Sequence, residues 1–127
     1  MGKKIDLTDA EWKVMELLWD QSPRTITQLT AGLKSQTGWT KGTVIKFLDR
    51  IQEKGAVRYD EGVKARQYVP CVSREEASLH ETDGFLNKVY RGSFSLMVNT
   101  MASGGKLKRE EIDELYAILK DAEEEEK

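Results

Sequence analysis

The sequence of 127 residues is poor in cysteine, in histidine and in long apolar runs. Cys71 has no second cysteine with which to form a disulfide within the chain. No apolar run approaches the roughly 20 residues that span a bilayer. Asp6 and Asp9 interrupt the N-terminal segment where a secretory signal needs an apolar core. These absences predict a cytoplasmic protein without direct membrane association.

Catalytic and metal-binding patterns are missing as well. The chain has no glycine-rich phosphate loop and no His or Cys ligands at metal-binding spacing. His80, the one histidine, falls on a charged helical segment, where we interpret it as a solvated side chain. We therefore expect no enzyme activity, no catalytic residue, no cofactor and no bound metal.

The total charge is slightly negative, but the charge is unevenly distributed along the chain. The net charge is −2, yet residues 1–72 carry 12 Lys and Arg against 9 Asp and Glu, a balance of +3. Residues 73–127 carry 8 against 13, a balance of −5. The basic side chains between residues 24 and 54, opposed only by Asp49 and Glu53, are Arg24, Lys34, Lys41, Lys46, Arg50 and Lys54. Because a nucleic acid responds to the field of the surface it contacts, the first part of the chain is suited to bind one.

The segment WTKGTVIKFLDRIQEKG, residues 39–55, has the pattern of a helix with two different faces. At about 100° per residue, an apolar stripe suited to a core consists of Val44, Phe47, Leu48 and Ile51. The opposite face is polar and consists of Gly42, Thr43, Lys46 and Arg50. Thr40 is placed to cap the start of the helix, and Gly55 is placed to end it. An ordinary solvated face would explain the polar residues, so their function depends on the neighbouring elements.

Two helices precede this segment and a β-hairpin follows it. LTDAEWKVMELLWD begins with a capping box of Thr8 and Glu11, and TITQLTAGLKSQTG has apolar residues at helical spacing. In AVRYDEGVKARQYVP, alternating residues flank turn chemistry at residues 60–62. Three helices followed directly by a hairpin predict a winged helix, a helix-turn-helix variant whose wing tip here carries Lys64 and Arg66.

The pattern of the last third of the chain predicts three further helices. They have much apolar surface but are too few and too thin to form a core of their own. Ser73 and Glu76 form another capping signal, and Gly104 and Gly105 close a short apolar segment before the final helix. A second copy of the chain is the simplest way to bury this surface. The residues expected in the dimer contact are Phe85, Leu86, Val89, Tyr90, Phe94, Leu96, Met97, Ile112, Leu115, Ile118 and Leu119.

We therefore expect a mainly α fold with a small β-hairpin wing. A winged-helix DNA-binding domain is expected over residues 1–72 and a helical dimerisation domain over residues 73–127. The polar face of the third helix suits base edges in the major groove, whereas Lys41 and the wing suit phosphate. The expected DNA-binding residues are Thr40, Lys41, Gly42, Thr43, Lys46, Arg50, Lys64 and Arg66.

These segments together resemble the BlaI/MecI family of penicillinase repressors over almost the whole chain. The resemblance rests on LTDAEWKVMELLW in the first helix, WTKGTVIKFLDRIQEKG in the third and GVKARQYVPCVSREE after it. It continues with FLNKVYRGSFSLMVN and EEIDELYAIL in the last third. The resemblance implies a bacterial transcriptional repressor that binds palindromic operator DNA as a homodimer. It also implies release when a membrane-bound sensor triggers proteolysis in the dimerisation domain.

The resemblance also suggests where such a cut would fall. Family members are cut after an asparagine that precedes a phenylalanine, and the matching residues here are Asn99 and Thr100. Thr100 therefore departs from the family pattern. Copper-responsive relatives carry clustered C-terminal cysteines, whereas this chain has none after Cys71.

Two other functions stay open at this point. A regulator that senses oxidants through Cys71 would release its operator under mild peroxide, and a reducing agent would reverse the release. A winged helix that serves as a protein-interaction adaptor would show no duplex binding at low salt, where a DNA reader binds most tightly.

Overall fold

The structure, a computed structural model that describes residues 4–126, is mainly helical with one two-stranded antiparallel hairpin, which confirms the predicted fold class. The elements in chain order are α1 (Asp9–Asp20), α2 (Ile26–Thr37), α3 (Lys41–Glu53), β1 (Val57–Glu61), β2 (Arg66–Pro70), α4 (Arg74–Tyr90), α5 (Phe94–Ser103) and α6 (Arg109–Glu125). The chain forms two compact units, which are Met1–Thr82 and Asp83–Lys127. Within the described residues, no helix is long and apolar enough to cross a membrane.

Side-chain caps begin the first three helices. Thr8 Oγ1 accepts from the backbone N–H of Glu11 at 3.2 Å, and Glu11 accepts from the backbone N–H of Thr8 at 2.9 Å. Thr25 and Gln28 form the same reciprocal pair at the start of α2, a capping box that the sequence analysis did not identify. Thr40 caps α3 as predicted. Each cap satisfies backbone donors that have no partner inside the helix, which typically stabilises a helix by about 1 kcal/mol.

The core of the first unit is complete within one chain. The side chains buried there come from α1, α2, α3, the hairpin and the start of α4, and are Val14, Met15, Leu18, Leu29, Leu33, Val44, Leu48, Ile51, Ala56, Val57, Tyr68, Val72 and Ala77. Burying one large aliphatic side chain of this kind stabilises the fold by about 1.5–3 kcal/mol. The apolar stripe of α3 therefore holds that helix firmly and fixes which face it turns to solvent.

The hairpin pairs β1 with β2 in the register Val57↔Pro70 and Tyr59↔Tyr68. The turn predicted at residues 60–62 lies further along, because β1 continues to Glu61 and residues 62–65 make the connection. Gly62 N–H donates to the carbonyl of residue 65 at 3.1 Å and closes this loop.

A third segment adds to the hairpin. Arg24, just before α2, pairs with Tyr68 through two backbone hydrogen bonds of 3.1 and 2.9 Å. Because Tyr68 is also buried, the wing is joined to the helices by both backbone and side chain. Arg24 and Tyr68 are far apart in the sequence, so this pairing is visible in the tertiary structure alone.

The first turns of α4 belong to the first unit. Ala77 is buried in the core, and the Arg74 guanidinium donates to both carboxylate oxygens of Glu16 at 2.6 and 2.7 Å. His80 Nε2 lies 2.6 Å from Asp6 Oδ1. The structure therefore divides the chain after Thr82, further along than the boundary expected at residue 72.

The second unit, by contrast, has no buried side chain in α5 or α6. The largest exposed apolar side chains of these two helices are Phe94, Leu96, Met101, Tyr116, Ile118 and Leu119. Helices of this length rely on tertiary packing for most of their stability. A single chain supplies little of that packing here.

A buried carboxylate ties the start of α1 to the end of α3. Glu11 is 1% exposed and accepts a hydrogen bond from Lys54 Nζ, which also donates to the carbonyl of Asp6 at 2.7 Å. Burial raises the pKa of Glu11, but the Lys54 ammonium and the Thr8 N–H outweigh it and hold the pKa below its usual value. A lowered pKa stabilises the fold above the ordinary pKa of a glutamate, and that stability is lost as the pH falls through the lowered value.

We expect Glu11→Gln to lower the free energy of unfolding by about 1–3 kcal/mol at pH 7, because it leaves Lys54 with a weaker partner. The difference from the unchanged protein should shrink as the pH falls below 4.5, the ordinary glutamate value, and through the lowered pKa of Glu11, where its carboxyl becomes protonated. Urea unfolding across this pH range measures both effects. Glu53→Gln, at an exposed carboxylate of α3, is the matched control and should change little. An equal loss for Glu11→Gln at all pH values would contradict the ion-pair interpretation.

Candidate nucleic-acid interface

The outward face of α3 is the first part of the candidate interface. Val44, Leu48 and Ile51 are buried, which turns the predicted polar residues away from the core. Lys41, Gly42, Lys46 and Arg50 are exposed, and Thr43 is half-buried. The structure therefore brings the predicted residues of the third helix together on one accessible surface.

The start of α3 is organised by two threonines. Thr40 Oγ1 accepts from the Thr43 N–H at 3.3 Å, and the two hydroxyl oxygens lie 3.2 Å apart. The hydroxyl of Thr43 therefore takes part in the cap, and the expected contact of Thr43 with DNA stays a prediction. Lys41 stands exposed in the same first turn, where the helix dipole and unpaired N–H groups attract anions.

Two aromatic side chains pack next to Arg50 on α3. Trp39 and Phe47 pack with ring centroids 4.8 Å apart, and the Arg50 guanidinium carbon lies 5.6 Å from the Phe47 centroid. Both aromatic side chains are half-buried against the core. This contact places the guanidinium of the exposed Arg50 beside the Phe47 ring.

The cations of this surface are not neutralised by ion pairs in the part of the chain that the structure describes. No ion pair in the described residues involves the exposed cations Lys41, Lys46, Arg50 and Lys64. Elsewhere in the same unit, Arg58 pairs with Asp60 at 2.9 Å and Arg74 pairs with Glu16 at 2.6 Å. Unpaired cations on one surface produce a positive field that favours a polyanion.

The wing carries the second group of cations. Lys64 lies in the connection between β1 and β2 and is exposed. Arg66 was expected at the wing tip but begins β2, where its guanidinium carbon lies 4.2 Å from the Tyr59 ring centroid and its Nε lies 3.8 Å from Glu61 Oε1. The cross-strand pair Glu61↔Arg66 explains this placement. Lys64 therefore reaches further from the fold than Arg66 does.

Two exposed apolar residues of this surface were not identified from the sequence. Val63 at the wing tip is fully exposed, and Ile45 of α3 is 36% exposed. Ile45 could have been found from its position outside the buried stripe of Val44, Leu48 and Ile51. Val63 has no such signal, because its exposure follows from where the turn lies.

A second surface lies in the second unit, where α5 and α6 line an apolar groove. Its lining residues include Phe94, Val98, Leu107, Ile112, Leu115, Tyr116 and Leu119. Of the residues expected in a dimer contact, Phe85, Val89, Phe94, Leu96, Ile118 and Leu119 are exposed, and Leu86, Tyr90, Met97, Ile112 and Leu115 are half-buried. Val98, Leu107 and Tyr116 were not predicted, although Tyr116 is 72% exposed.

The two residues of the expected cleavage position lie in α5 and are exposed. Thr100 Oγ1 donates to the carbonyl of Leu96 at 2.8 Å, and Ser103 Oγ lies 3.4 Å from Asn99 Oδ1. The bond between Asn99 and Thr100 is therefore inside a helix. A protease that binds extended backbone needs this short helix to unwind locally first.

The remaining candidates for a chemical function are the Cys71 thiol and groups of metal-binding side chains. Cys71 is half-buried, and its backbone N–H donates to the carbonyl of Ala56 at 2.7 Å. In the part of the chain that the structure describes, no three His, Cys, Asp or Glu residues are grouped so as to hold a metal ion.

Comparison with known proteins gives matches over most of the chain. A family model described as penicillinase repressor matches residues 7–121. The penicillinase repressor of Bacillus licheniformis is 29% identical over 121 residues, which cover 95% of this chain and 94% of that protein. The methicillin resistance regulatory protein MecI of Staphylococcus aureus strain N315 is 27% identical over 118 residues, which cover 93% of this chain and 96% of that protein.

A solved structure has a similar fold over part of this chain. The solution structure of monomeric Bacillus licheniformis BlaI in complex with the blaP half-operator superposes with a TM-score of 0.53 and 25% identity. The superposition covers 60% of this chain and 93% of that one.

Proposed function

Because the chain belongs to the penicillinase repressor family, we propose that it represses transcription by binding operator DNA through α3 and the wing. The observation that carries this proposal is the row of exposed, unpaired cations on the outward face of α3. These cations lie on a helix whose opposite face is buried in the core of the first unit. A chain with this function is a regulator and not an enzyme.

The first unit supplies the contacts to one operator half-site. We place the N-terminal half of α3 in the major groove, where Gly42, Lys46 and Arg50 reach base edges. Lys41 and the α3 N-terminus bind phosphate on one side, and Lys64 and Arg66 of the wing bind the backbone beside the groove. Thr40 and Thr43 hold the helix start in shape through their cap.

The second unit supplies the link between two chains. An isolated pair of helices with no buried side chain cannot repay the entropy of ordering its residues. A second copy packed on the apolar residues of α5 and α6 buries them and makes a homodimer. The two first units, linked in this way, then match a palindromic operator, because the two-fold symmetry of the protein matches that of the DNA.

We also propose that release follows cleavage near Asn99 and Thr100, triggered by a membrane-bound sensor. Cutting α5 between Asn99 and Thr100 separates the α6 half of the apolar groove from the α5 half. The two chains of the dimer would then separate, while the first unit would stay folded because it has its own core. DNA release then needs no change in α3.

A salt titration of duplex binding tests the proposal. A repressor loses affinity steeply as salt rises, with a log–log slope of about −0.9 per phosphate neutralised. The duplex is the promoter upstream of the protein's own gene, and a footprint on it should show a two-fold symmetric site. No duplex binding at low salt would overturn the proposal and favour a protein-interaction adaptor.

The wing residues are expected to bind backbone without reading sequence. Removing Lys64 with Lys64→Ala should weaken all duplexes alike and flatten the salt slope by about one unit. Arg66→Ala should have a smaller effect on the slope, because Glu61 and Tyr59 already contact Arg66. Titrations of an operator and an unrelated duplex at several salt concentrations measure both effects. A loss confined to the operator would mean that the wing reads bases.

A further inference from the structure

Two neighbouring positions on α3 leave a bare apolar surface within the candidate interface. Ile45 is 36% exposed although it belongs to the helix that packs into the core. A Cβ added at Gly42, three residues earlier, would meet only Thr40 Oγ1 at 3.8 Å. Nothing in the folded chain therefore requires a glycine at position 42, where it weakens the helix compared with alanine.

Helix geometry brings these two positions together. Residues three apart are neighbours on a helix surface, and a helical side chain leans toward the turn before it. Ile45 therefore leans toward the turn that contains Gly42, where no side chain competes for the space. We call the space beside Ile45 and over the backbone of Gly42 the notch. Lys41 and Lys46, next to it in the chain, are exposed, and so is Asp49, one turn after Ile45.

A major-groove base edge has one apolar feature, the 5-methyl group of thymine. The first turns of a recognition helix are the ones that approach base edges. A Cβ at position 42 would hold the helix further from the base, whereas a glycine lets the backbone come close. An exposed apolar side chain beside a turn without a side chain therefore suits the methyl group of a thymine, while Lys41 binds phosphate and Lys46 reaches a neighbouring base edge.

We propose that Ile45 and the bare backbone at Gly42 recognise the 5-methyl group of a thymine in each operator half-site. This inference rests on the proposed function, and it makes Ile45 a specificity-determining residue. Contact between one methyl group and this notch should change affinity about fourfold per half-site, the effect expected for burying one methyl-sized apolar group.

The test uses the full chain and DNA that differs by single methyl groups. A high-affinity duplex is first selected from a random-sequence pool, and each thymine is then replaced in turn by uracil, which lacks the 5-methyl group. We expect one thymine per half-site at which the unchanged protein loses affinity about fourfold on replacement. Ile45→Ala should bind the thymine and uracil duplexes equally at that position and keep its preferences elsewhere.

Two further variants separate recognition from folding. Ile45→Val retains an apolar branched side chain and should keep most of the thymine preference. Gly42→Ala should raise the melting temperature, because alanine favours the helix, while it weakens binding to the thymine duplex. Melting curves of all variants show whether any loss of binding comes from unfolding.

Three outcomes are decisive. Loss of the thymine preference in Ile45→Ala with an unchanged melting curve supports the inference. An enriched duplex in which no thymine is sensitive to uracil, or full thymine preference in Ile45→Ala, overturns it and leaves the proposed function standing. Failure to enrich any duplex overturns the proposed function and this inference with it.

Discussion

Leu115→Glu is expected to turn the proposed homodimer into a monomer and to reduce affinity for a full operator by about 10²–10⁴-fold, the gain that linking two binding modules provides. Leu115 lines the apolar groove between α5 and α6 and is half-buried in a single chain. A charge placed there would be buried without a partner in the dimer. Affinity for a single half-site should stay nearly unchanged, since the first unit has its own core.

Ala117→Glu is the matched control for this experiment. It adds the same charge to α6 two residues away, on the side of the helix opposite Ile112 and Leu115. Sedimentation velocity gives the oligomeric state, and titration of full and half operators gives the affinities. A Leu115→Glu protein that stays dimeric with full affinity would show that α6 does not form the dimer contact.

Truncation after Asn99 extends the same prediction to the proposed switch. The fragment 1–99 lacks the end of α5 and all of α6, so it should resemble Leu115→Glu in mass and in operator binding. A fragment that remains dimeric and keeps full operator affinity would contradict release by disruption of the dimer.

Lys46→Ala is expected to have the second largest effect. Lys46 is exposed on the outward face of α3 and forms no ion pair in the described residues, so its ammonium is free to reach a base edge. The substitution should cost about 1–3 kcal/mol per base contact and relax the preference at one position in each half-site. Selection from a random duplex pool, performed with both proteins, measures the change in preference.

Lys41→Ala provides the comparison. It removes an equal charge from the same helix, but at the capped N-terminus, where phosphate contact is expected. Lys41→Ala should therefore weaken all duplexes to a similar degree and leave the preferred sequence unchanged. If Lys46→Ala behaves in the same way, the outward face of α3 binds backbone and does not read bases.

Local patterns predicted the elements of the fold well, because each depends on neighbours in sequence. The capping boxes at Thr8 and Ser73 form as predicted, and so does the left-handed Gly55 after α3. The apolar stripe of α3 is buried at Val44, Leu48 and Ile51, as its helical spacing predicted. Such features depend on hydrogen bonds and periodicities that span only a few residues.

Features that depend on distant contacts were predicted less well. The turn of the wing lies later than expected, because cross-strand pairing of Glu61 with Arg66 extends β1. That pairing also moves Arg66 from the wing tip into β2. The bridge between Arg24 and Tyr68 joins segments far apart in the chain, so no local pattern could indicate it.

The sequence by itself determined the helices, the hairpin, the winged-helix order and the polar composition of α3, since periodicity, caps and turn residues act locally. Only the tertiary structure decided which cations are left unpaired, that Thr43 is engaged in the cap, and that Ile45 is exposed beside Gly42. It also showed that the buried core ends with Ala77, while α5 and α6 have only half-buried and exposed side chains. The reason is physical: burial and ion pairing depend on which side chains meet in space, and a sequence pattern gives only the face on which each side chain lies.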